Sequence, residues 1–216
     1  MVCLRSLSLS GTPIKALPEL PPSLRWLYTR DCASLETAIS IINIGRLWDG
    51  LNFTNCFKLD QKPLVAAMHL KIQSGEEIPY GGIRMVLPGS EIPEWFGDKG
   101  IGSSLTIQLP SNCHQLKGIA FCLVFLLPLS HDMPISVFSG CSDVGVNYDY
   151  QVTSKNGEHN GDDKVLCNSQ KNFLSMHLRT CDSDHMILRY ELKLVNELHL
   201  NSTGGEIVIR AEGLSS

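Results

Sequence analysis

From residue 83 onward, apolar and polar residues alternate along many short segments of the chain. In the clearest segment, residues 144–152, valines and tyrosines occupy every second position, and glycine or polar residues lie between them. Side chains on a strand point alternately to its two sides, so this period of two predicts a strand with one buried and one solvent-facing side. The pattern therefore indicates a β-rich region and not a helical one.

The other strand candidates suggest how this region is built. Residues 105–109 and 207–210 also alternate, whereas the continuous apolar run 119–127 is typical of a strand buried on both faces. Further strands are predicted at 84–87, 135–139, 164–167, 174–178 and 186–194, separated by clusters of Gly, Asn, Asp and Pro. Many short strands with such turns predict a mainly β fold, an antiparallel β-sandwich of jelly-roll or immunoglobulin-like type over residues 79–216.

The first 36 residues carry a different, longer period. Leu4 and Leu7 recur twenty residues later as Leu24 and Leu27, a spacing at the short end of the leucine-rich-repeat range. Each unit is predicted to form a short strand whose leucines enter the core of a coiled array. Thr29 stands where an apolar residue is expected, which suits a closing repeat. Because such arrays need about three or more units, two units starting at Met1 are expected to be the end of a longer array.

Residues 37–78 are predicted to connect the repeats to the β region. Their first half is apolar without a clean period. A helix is then predicted from a cap at Asp60, through Pro63 in its first turn, to Gly75 at its end. Three apolar residues spaced by four would form its buried stripe, namely Leu64, Met68 and Ile72.

Composition and charge exclude several classes of protein. The 216 residues include 18 Lys and Arg against 22 Asp and Glu, a net charge of −4, without a dense basic run. A nucleic-acid or membrane-surface footprint would need a concentrated positive patch. The longest apolar run, residues 119–129, is shorter than the roughly 20 residues of a spanning helix, and the N-terminus lacks the apolar core of a secretory signal. We therefore expect the eight cysteines to be reduced thiols in a cytoplasmic or nuclear protein.

One cluster has ligand types suited to zinc. His177, Cys181 and His185 are spaced by four, and Cys167 lies ten residues before His177. On a helix this spacing would align three ligands, but here the residues flank a turn between two predicted strands. The sequence thus favours a hairpin with a half-buried thiol over a metal site, and a zinc- or cysteine-dependent hydrolase is kept as an alternative function.

Other catalytic patterns lack support. The chain has neither a G-x-S-x-G nucleophile elbow nor a glycine-rich phosphate loop, and the adjacency of Cys113 and His114 does not place imidazole on sulfur. Glu91 and Glu94 are more simply explained as acidic residues in a single helical turn capped by Ser90. We predict no catalytic, cofactor-binding or metal-binding residue.

The outward positions of the two repeat strands are candidates for partner binding. They carry Ser6, Ser8 and Ser10 in the first unit and Trp26, Tyr28 and Arg30 in the second. Aromatic residues and arginine are favoured at protein interfaces. Packing of Trp26 and Tyr28 against the following β region would explain the same residues equally well.

A longer motif links the chain to a known family. Residues 87–96, Leu-Pro-Gly-Ser-Glu-Ile-Pro-Glu-Trp-Phe, followed by 102–107, resemble the C-terminal jelly-roll/Ig-like domain (C-JID) after the repeats of plant TIR-type NB-LRR disease resistance proteins. Residues 17–24, 32–36, 55–59 and 183–185 resemble neighbouring segments of those proteins. The motif residues are Pro88, Gly89, Ile92, Pro93, Trp95 and Phe96, and in a sandwich Trp95 and Phe96 would fill its interior.

This resemblance implies recognition of pathogen effector proteins in plant defence, through the repeat surface and surface loops. On this basis the loop candidates are Asp132, Asn156, His159 and Asp182. NAD cleavage and nucleotide switching belong to other domains of the family, so an NAD-hydrolase label would be inherited from the family and no cofactor is expected here. Association with full-length receptor subunits through the open repeat end is a further expectation.

Overall fold

The structure is a computed structural model of the whole chain. It describes residues 4–24, 26–44, 49–76, 78, 82–102, 104–109, 116–125, 143–154, 164–168, 172–177, 183–191 and 205–213. The predicted strand at 135–139 lies outside these residues.

The described residues contain eleven strands, one α-helix and one short 3₁₀ helix at Ile39–Ile41. The helix α1 spans Lys62–Ser74. The strands are β1 (Ser6–Ser8), β2 (Trp26–Tyr28), β3 (Asp49–Asn52), β4 (Gly82–Pro88), β5 (Ser104–Leu109), β6 (Ile119–Phe125), β7 (Asp143–Ser154), β8 (Lys164–Asn168), β9 (Asn172–His177), β10 (His185–Glu191) and β11 (Gly205–Gly213). The mainly β prediction with one helix is thereby confirmed.

The chain divides into two compact units that interleave along the sequence. The first unit consists of residues 1–96, 120–128 and 181–192, and the second of residues 97–119, 129–180 and 193–216. The predicted domain borders at residues 36 and 78 stay predictions.

The first unit contains a six-stranded mixed sheet in the order β1-β2-β3-β4-β10-β6. Strands β1 to β4 run parallel, and β10 pairs antiparallel with β4. The register of β1 on β2 joins Ser6 to Trp26 and Leu7 to Leu27. This is the offset of twenty that the leucine spacing predicts.

Three successive coils build the parallel half of this sheet. After each strand the chain turns and returns, and the return segments are joined by backbone hydrogen bonds, from Glu36 N to Lys15 O at 2.7 Å and from Asp60 N to Glu36 O at 2.9 Å. The third coil, with β3, lies within residues 37–78, for which the sequence predicted a connecting segment with a helix. Its turn residues repeat those of the second coil at an offset of 24, because Asn-Cys-x-x-Leu-Asp at 55–60 follows Asp-Cys-x-x-Leu-Glu at 31–36.

One hydrophobic core holds the first unit together. It is formed by apolar side chains from the coils, the helix and the inner positions of β4 and β10, among them Leu24, Leu27, Leu35, Phe53, Leu64, Met68, Met85 and Leu188. Full burial of such a side chain is worth about 1.5–3 kcal/mol. Thr29, where an apolar residue was expected, is also buried, and its hydroxyl donates to Asn52 O at 2.9 Å, which satisfies its hydrogen-bonding capacity.

The helix follows the predicted pattern with a shifted cap. Leu64 and Met68 are buried and Ile72 is half-buried, as the spacing of four predicted. Gln61 is the N-cap, although Asp60 accepts a hydrogen bond from Lys62 N at 3.2 Å. Gly75 ends the helix in the left-handed conformation, φ 66°.

The second unit is built on an antiparallel five-stranded sheet. Its strand order is β5-β11-β7-β8, and β9 pairs with β7 as well. The long strand β7 pairs with β11 through residues 146–154, while its other edge is shared by β9 (residues 143–148) and β8 (residues 151–154). The alternating segment 144–152 thus forms the centre of this sheet.

Two local predictions were wrong. Residues 90–96 form no helix, and their one turn-type backbone hydrogen bond runs from Phe96 N to Pro93 O. The apolar strand β6 is not buried on both faces, because it lies at the end of its sheet and Val124 is 38% exposed. A strand with one described neighbour has less cover than its apolar sequence suggests.

Candidate functional site

The outer face of the first sheet, opposite its core, carries the predicted partner-binding residues. Leu27 points inward and is buried, whereas its neighbours Trp26 and Tyr28 are 51% and 40% exposed. The register places Ser8 opposite Tyr28, and Tyr28 opposite Asn52 of β3. We call the surface formed by Ser6, Ser8, Trp26, Tyr28 and Asn52 the outer patch.

Arg30 lies at the border of the outer patch on a fixed backbone. Its N–H donates to Ser10 Oγ at 3.2 Å, and its carbonyl accepts from Gly11 N at 2.8 Å. The residue is half-buried and makes further interactions. Aromatic rings beside small serines and a half-buried arginine are a suitable arrangement for contacting a protein surface.

Sequence reasoning missed the charged residues that continue this face. Arg84 of β4 lies beside Gly50, whose missing Cβ would be 3.6 Å from the Arg84 guanidinium. Arg189 is opposite Arg84 in the β4–β10 register and forms an ion pair of 2.8 Å with Glu191. Only the pairing of β10 with β4, about a hundred residues apart, reveals this proximity.

The turns after β1, β2 and β3 form a ladder. Gly11, Asp31 and Asn55 have left-handed backbones with φ of 72°, 58° and 60°. The N–H of Gly11 donates to Arg30 O at 2.8 Å, and that of Asp31 donates to Thr54 O at 2.9 Å. In both cases the acceptor is the residue before the next left-handed position.

The third rung of this ladder ends on a side chain. Asn55 N donates to His185 Nε2 at 3.1 Å, and His185 Nδ1 is 2.9 Å from Ser183 O. The imidazole is fully buried and Phe57 contacts it edge-on, with ring centroids 6.0 Å apart. Burial lowers the pKa of His185 below its ordinary value, although the Ser183 carbonyl and the Asp184 charge partly oppose this shift.

This environment bears on the candidate zinc cluster. Both ring nitrogens of His185 are engaged in hydrogen bonds, which leaves neither lone pair directed at a metal. In the part of the chain that the structure describes, no three His, Cys, Asp or Glu side chains are placed to hold an ion. Cys181 lies outside the described residues, and Cys167 and His177 are described as strand positions of β8 and β9.

Two of the described thiols, those of buried Cys56 and half-buried Cys122, have little nucleophilic character. Burial raises the pKa of Cys56 and of Cys122 to about 12. Reactive cysteines need a lowered pKa, because the thiolate is the nucleophile. Cys56 instead donates its S–H to Thr29 O at 2.9 Å, as Cys32 does to Leu9 O at 3.1 Å, so both thiols join neighbouring coils.

The motif at residues 87–96 joins three elements of the first unit. Gly89 has φ 108°, a conformation that favours glycine, and its N–H donates to Asp184 O at 2.7 Å. Pro88 O accepts from the Gln61 amide at the start of α1. These contacts fix the end of β4 against the helix and the start of β10.

The aromatic end of the motif packs on the helix. Trp95 is half-buried, stacked on His69 of α1 at 4.7 Å and on Phe96 at 4.0 Å between ring centroids. Ile92 and Pro93 are also half-buried, while Glu91 and Glu94 are exposed. Trp95 therefore covers a helix; its predicted place inside a sandwich is not what these contacts show.

The loop candidates Asp132, Asn156, His159 and Asp182 lie outside the described residues, as does the Cys113–His114 pair. Among the helices that the structure describes, none is long and apolar enough to cross a membrane.

Comparison with known proteins identifies the class of protein. The chain is similar to three disease resistance proteins of Arabidopsis thaliana. It is 31% identical to disease resistance protein RPS4B over 147 residues, 59% of this chain and 12% of that protein. It is 37% identical to disease resistance protein RML1B over 111 residues, 51% of this chain and 10% of that protein. With disease resistance-like protein CSA1 it is 29% identical over 194 residues, 81% of this chain and 15% of that protein.

The C-JID domain pattern matches residues 87–208, more than half of the chain. The chain therefore belongs to the C-JID domain family, and the resemblance to the C-terminal region of TIR-type NB-LRR disease resistance proteins is confirmed. It spans 10 to 15% of the length of the three relatives named above. No solved structure matches the chain.

Proposed function

We propose that this chain is the protein-recognition region of a cytoplasmic or nuclear plant immune receptor, which binds pathogen effector proteins and has no catalytic activity of its own. The observation that carries the proposal is the outer patch, where Trp26 and Tyr28 are exposed at alternate positions of β2. Membership of the C-JID family and similarity to disease resistance proteins supply the biological setting.

The same proposal assigns the parts of the fold. The three coils are the last leucine-rich repeats of the receptor, and the β strands after them form its jelly-roll/Ig-like domain. The parallel strands and the twenty-residue register support the first assignment, and the antiparallel sheet of the second unit supports the other. The loops around Asp132, Asn156, His159 and Asp182 are proposed as additional effector contacts.

Rigid presentation explains why this surface suits recognition. Leu27, between the two aromatic residues, is buried in the core. The backbone N–H of Trp26 donates to Arg5 O at 3.1 Å, which holds β2 against the first coil. Large aromatic side chains fixed on such a strand lose little conformational entropy on binding. Interfaces typically concentrate their binding energy in a few such residues.

The test compares three alanine variants of the full chain on a biosensor against a panel of purified effector proteins. For an effector that binds the wild type, Trp26→Ala and Tyr28→Ala are each expected to weaken binding about tenfold or more. Phe57→Ala, which removes a 55% exposed aromatic ring from a turn outside the outer patch, is the matched control and should change affinity less than about threefold.

Thermal unfolding of each variant separates binding from folding. Unchanged melting temperatures with selective loss of binding support the proposal. Equal losses in all three variants, or full binding after both outer-patch substitutions, would contradict the assigned surface.

A further inference from the structure

The last rung of the turn ladder differs from the others in its chemistry. Gly11 and Asp31 donate to backbone carbonyls of the following coil, whereas Asn55 donates to an imidazole that comes from β10, 130 residues further along the chain. A carbonyl accepts at every pH, but an imidazole accepts only while it is neutral.

We propose that His185 is a proton-sensitive latch that closes the end of the three coils. In its neutral form Nε2 replaces the carbonyl that a further coil would supply, and protonation releases the turn of the third coil from β10. The proposal does not depend on the effector-binding function.

The position of the imidazole continues the geometry of the ladder. The carbonyl before the next residue with positive φ, Pro88 O, accepts from the Gln61 amide, and Asn55 N donates to His185 Nε2 instead. Residues 183–185 supply the hydrogen-bond acceptors for two backbone N–H groups. Asp184 O accepts from Gly89 N at 2.7 Å, and His185 Nε2 accepts from Asn55 N. This segment thus joins the start of β10 to the turn after β3 and to the end of β4.

The hydrogen bonds determine one tautomer. The Ser183 carbonyl can only accept, so Nδ1 of His185 carries the proton and donates to it over 2.9 Å. Nε2 is then the unprotonated nitrogen that accepts from Asn55 N over 3.1 Å. The imidazolium form would place an Nε2–H donor against the Asn55 N–H donor, and the hydrogen bond would be lost.

The surroundings leave few ways to relieve this conflict. Asn55 is held in its left-handed conformation, and its side-chain amide donates to Asp31 Oδ1 at 2.8 Å. The ring of His185 is fully buried and lies edge-on to Phe57. A protonated ring must therefore open the contact between the third turn and β10.

The charges around the ring set the balance between its two forms. The negative charge of Asp184, on the same segment, favours the imidazolium. Asp31, from the second turn, accepts a hydrogen bond from the side-chain amide of Asn55. The third turn presents Asn55 and Phe57, and β4 presents Pro88 opposite His185, all uncharged. Burial is the largest influence and holds the pKa of His185 below its ordinary value, so the latch is closed at neutral pH.

The test measures amide hydrogen exchange of the full chain by NMR at about pH 7.5 and at a lower pH at which the nitrogen shifts of the His185 ring show protonation, corrected for intrinsic exchange. Protection of the Asn55 amide is expected to fall about tenfold at the lower pH, as for the loss of one hydrogen bond. The amides of Gly11 and Asp31, which donate to carbonyls, are internal controls and should change less than about twofold.

Two variants isolate the imidazole. His185→Gln supplies an acceptor that does not titrate in this range, and it should remove the pH dependence at Asn55. His69→Gln, which alters the histidine stacked on Trp95, should keep that dependence. Asn55 protection that follows Gly11 and Asp31 in the wild type, or unchanged pH dependence in His185→Gln, would overturn the proposal.

A measurement on the wild type covers the case in which His185→Gln does not fold. Nitrogen chemical shifts of the His185 ring above about pH 7 should show a protonated Nδ1 and an unprotonated Nε2. The opposite tautomer would overturn the proposal directly, because Nε2 could not then accept from Asn55.

Discussion

Substitution of Phe53 tests whether the third coil contributes its side chain to the hydrophobic core of the first unit. The side chain is fully buried in the core, and its N–H donates to Val86 O at 2.9 Å. Phe53→Ala keeps this backbone hydrogen bond and removes only the ring. Substitution of a buried phenylalanine by alanine costs about 3–5 kcal/mol through lost burial and the cavity left behind.

In a chain of this length each kcal/mol shifts the melting temperature by about 2–4 °C. Phe53→Ala should therefore lower the melting temperature of the first unit by about 6 to 20 °C, as measured by calorimetry and confirmed by urea unfolding. Phe57→Ala, four residues later, is the matched control. Because Phe57 is 55% exposed, its loss should cost less than about 1 kcal/mol.

The comparison can fail in a clear way. If both variants lose similar stability, or if Phe53→Ala unfolds within about 1 kcal/mol of the wild type, Phe53 does not occupy the core, and the third coil would have to be assigned differently.

Three further predictions concern a glycine, two thiols and a histidine. Gly89→Ala should cost about 1–3 kcal/mol in urea unfolding because of its φ of 108°, whereas Gly97→Ala, with open space at its Cβ position, should be near neutral; equal effects would contradict the backbone argument. Cys56 and Cys122, whose pKa values are raised to about 12 by burial, should resist alkylation at about pH 8 until the chain unfolds, as followed by mass spectrometry; rapid labelling of the native chain would refute this. Because the pKa of His185 is lowered from 6.5, its contribution to the free energy of unfolding should be complete above pH 6.5 and decline as the pH falls towards the folded-state pKa; the same decline in His185→Gln, measured by urea unfolding across this range, would refute the assignment.

The repeat spacing shows both the strength and the limit of sequence reasoning here. Leu7 and Leu27 predicted the register of β1 and β2 because identical coils stack at a constant offset. The third coil escaped notice because its offset is 24 instead of 20 and Trp48 stands at the counterpart of Leu24. The repeated Asp/Asn-Cys-x-x-Leu-Glu/Asp turn was the available signal, since a turn needing a left-handed residue conserves its chemistry more closely than a core position does.

The β strands were predicted by local alternation, but their neighbours were not. The period of two identified β7 and the shorter strands around it, because side-chain direction is a local property. Strand order depends on which distant segments pair, and the pairing of β10 with β4 has no local signature. The roles of Arg84, Arg189 and His185 follow from that pairing, so they could not be read from the sequence.

The location of β4 has a consequence for exchanging segments between related proteins of the C-JID family. The family match begins at residue 87, inside β4, and this strand has β3 on one side and β10 on the other. A chimera joined at that border would pair residues 82–86 of β4 from one parent with β10 from the other parent. A crossover placed between the second and third coils would instead transfer β3, β4 and β10 together, which suggests that functional recombinants will carry the last coil with the domain that follows it.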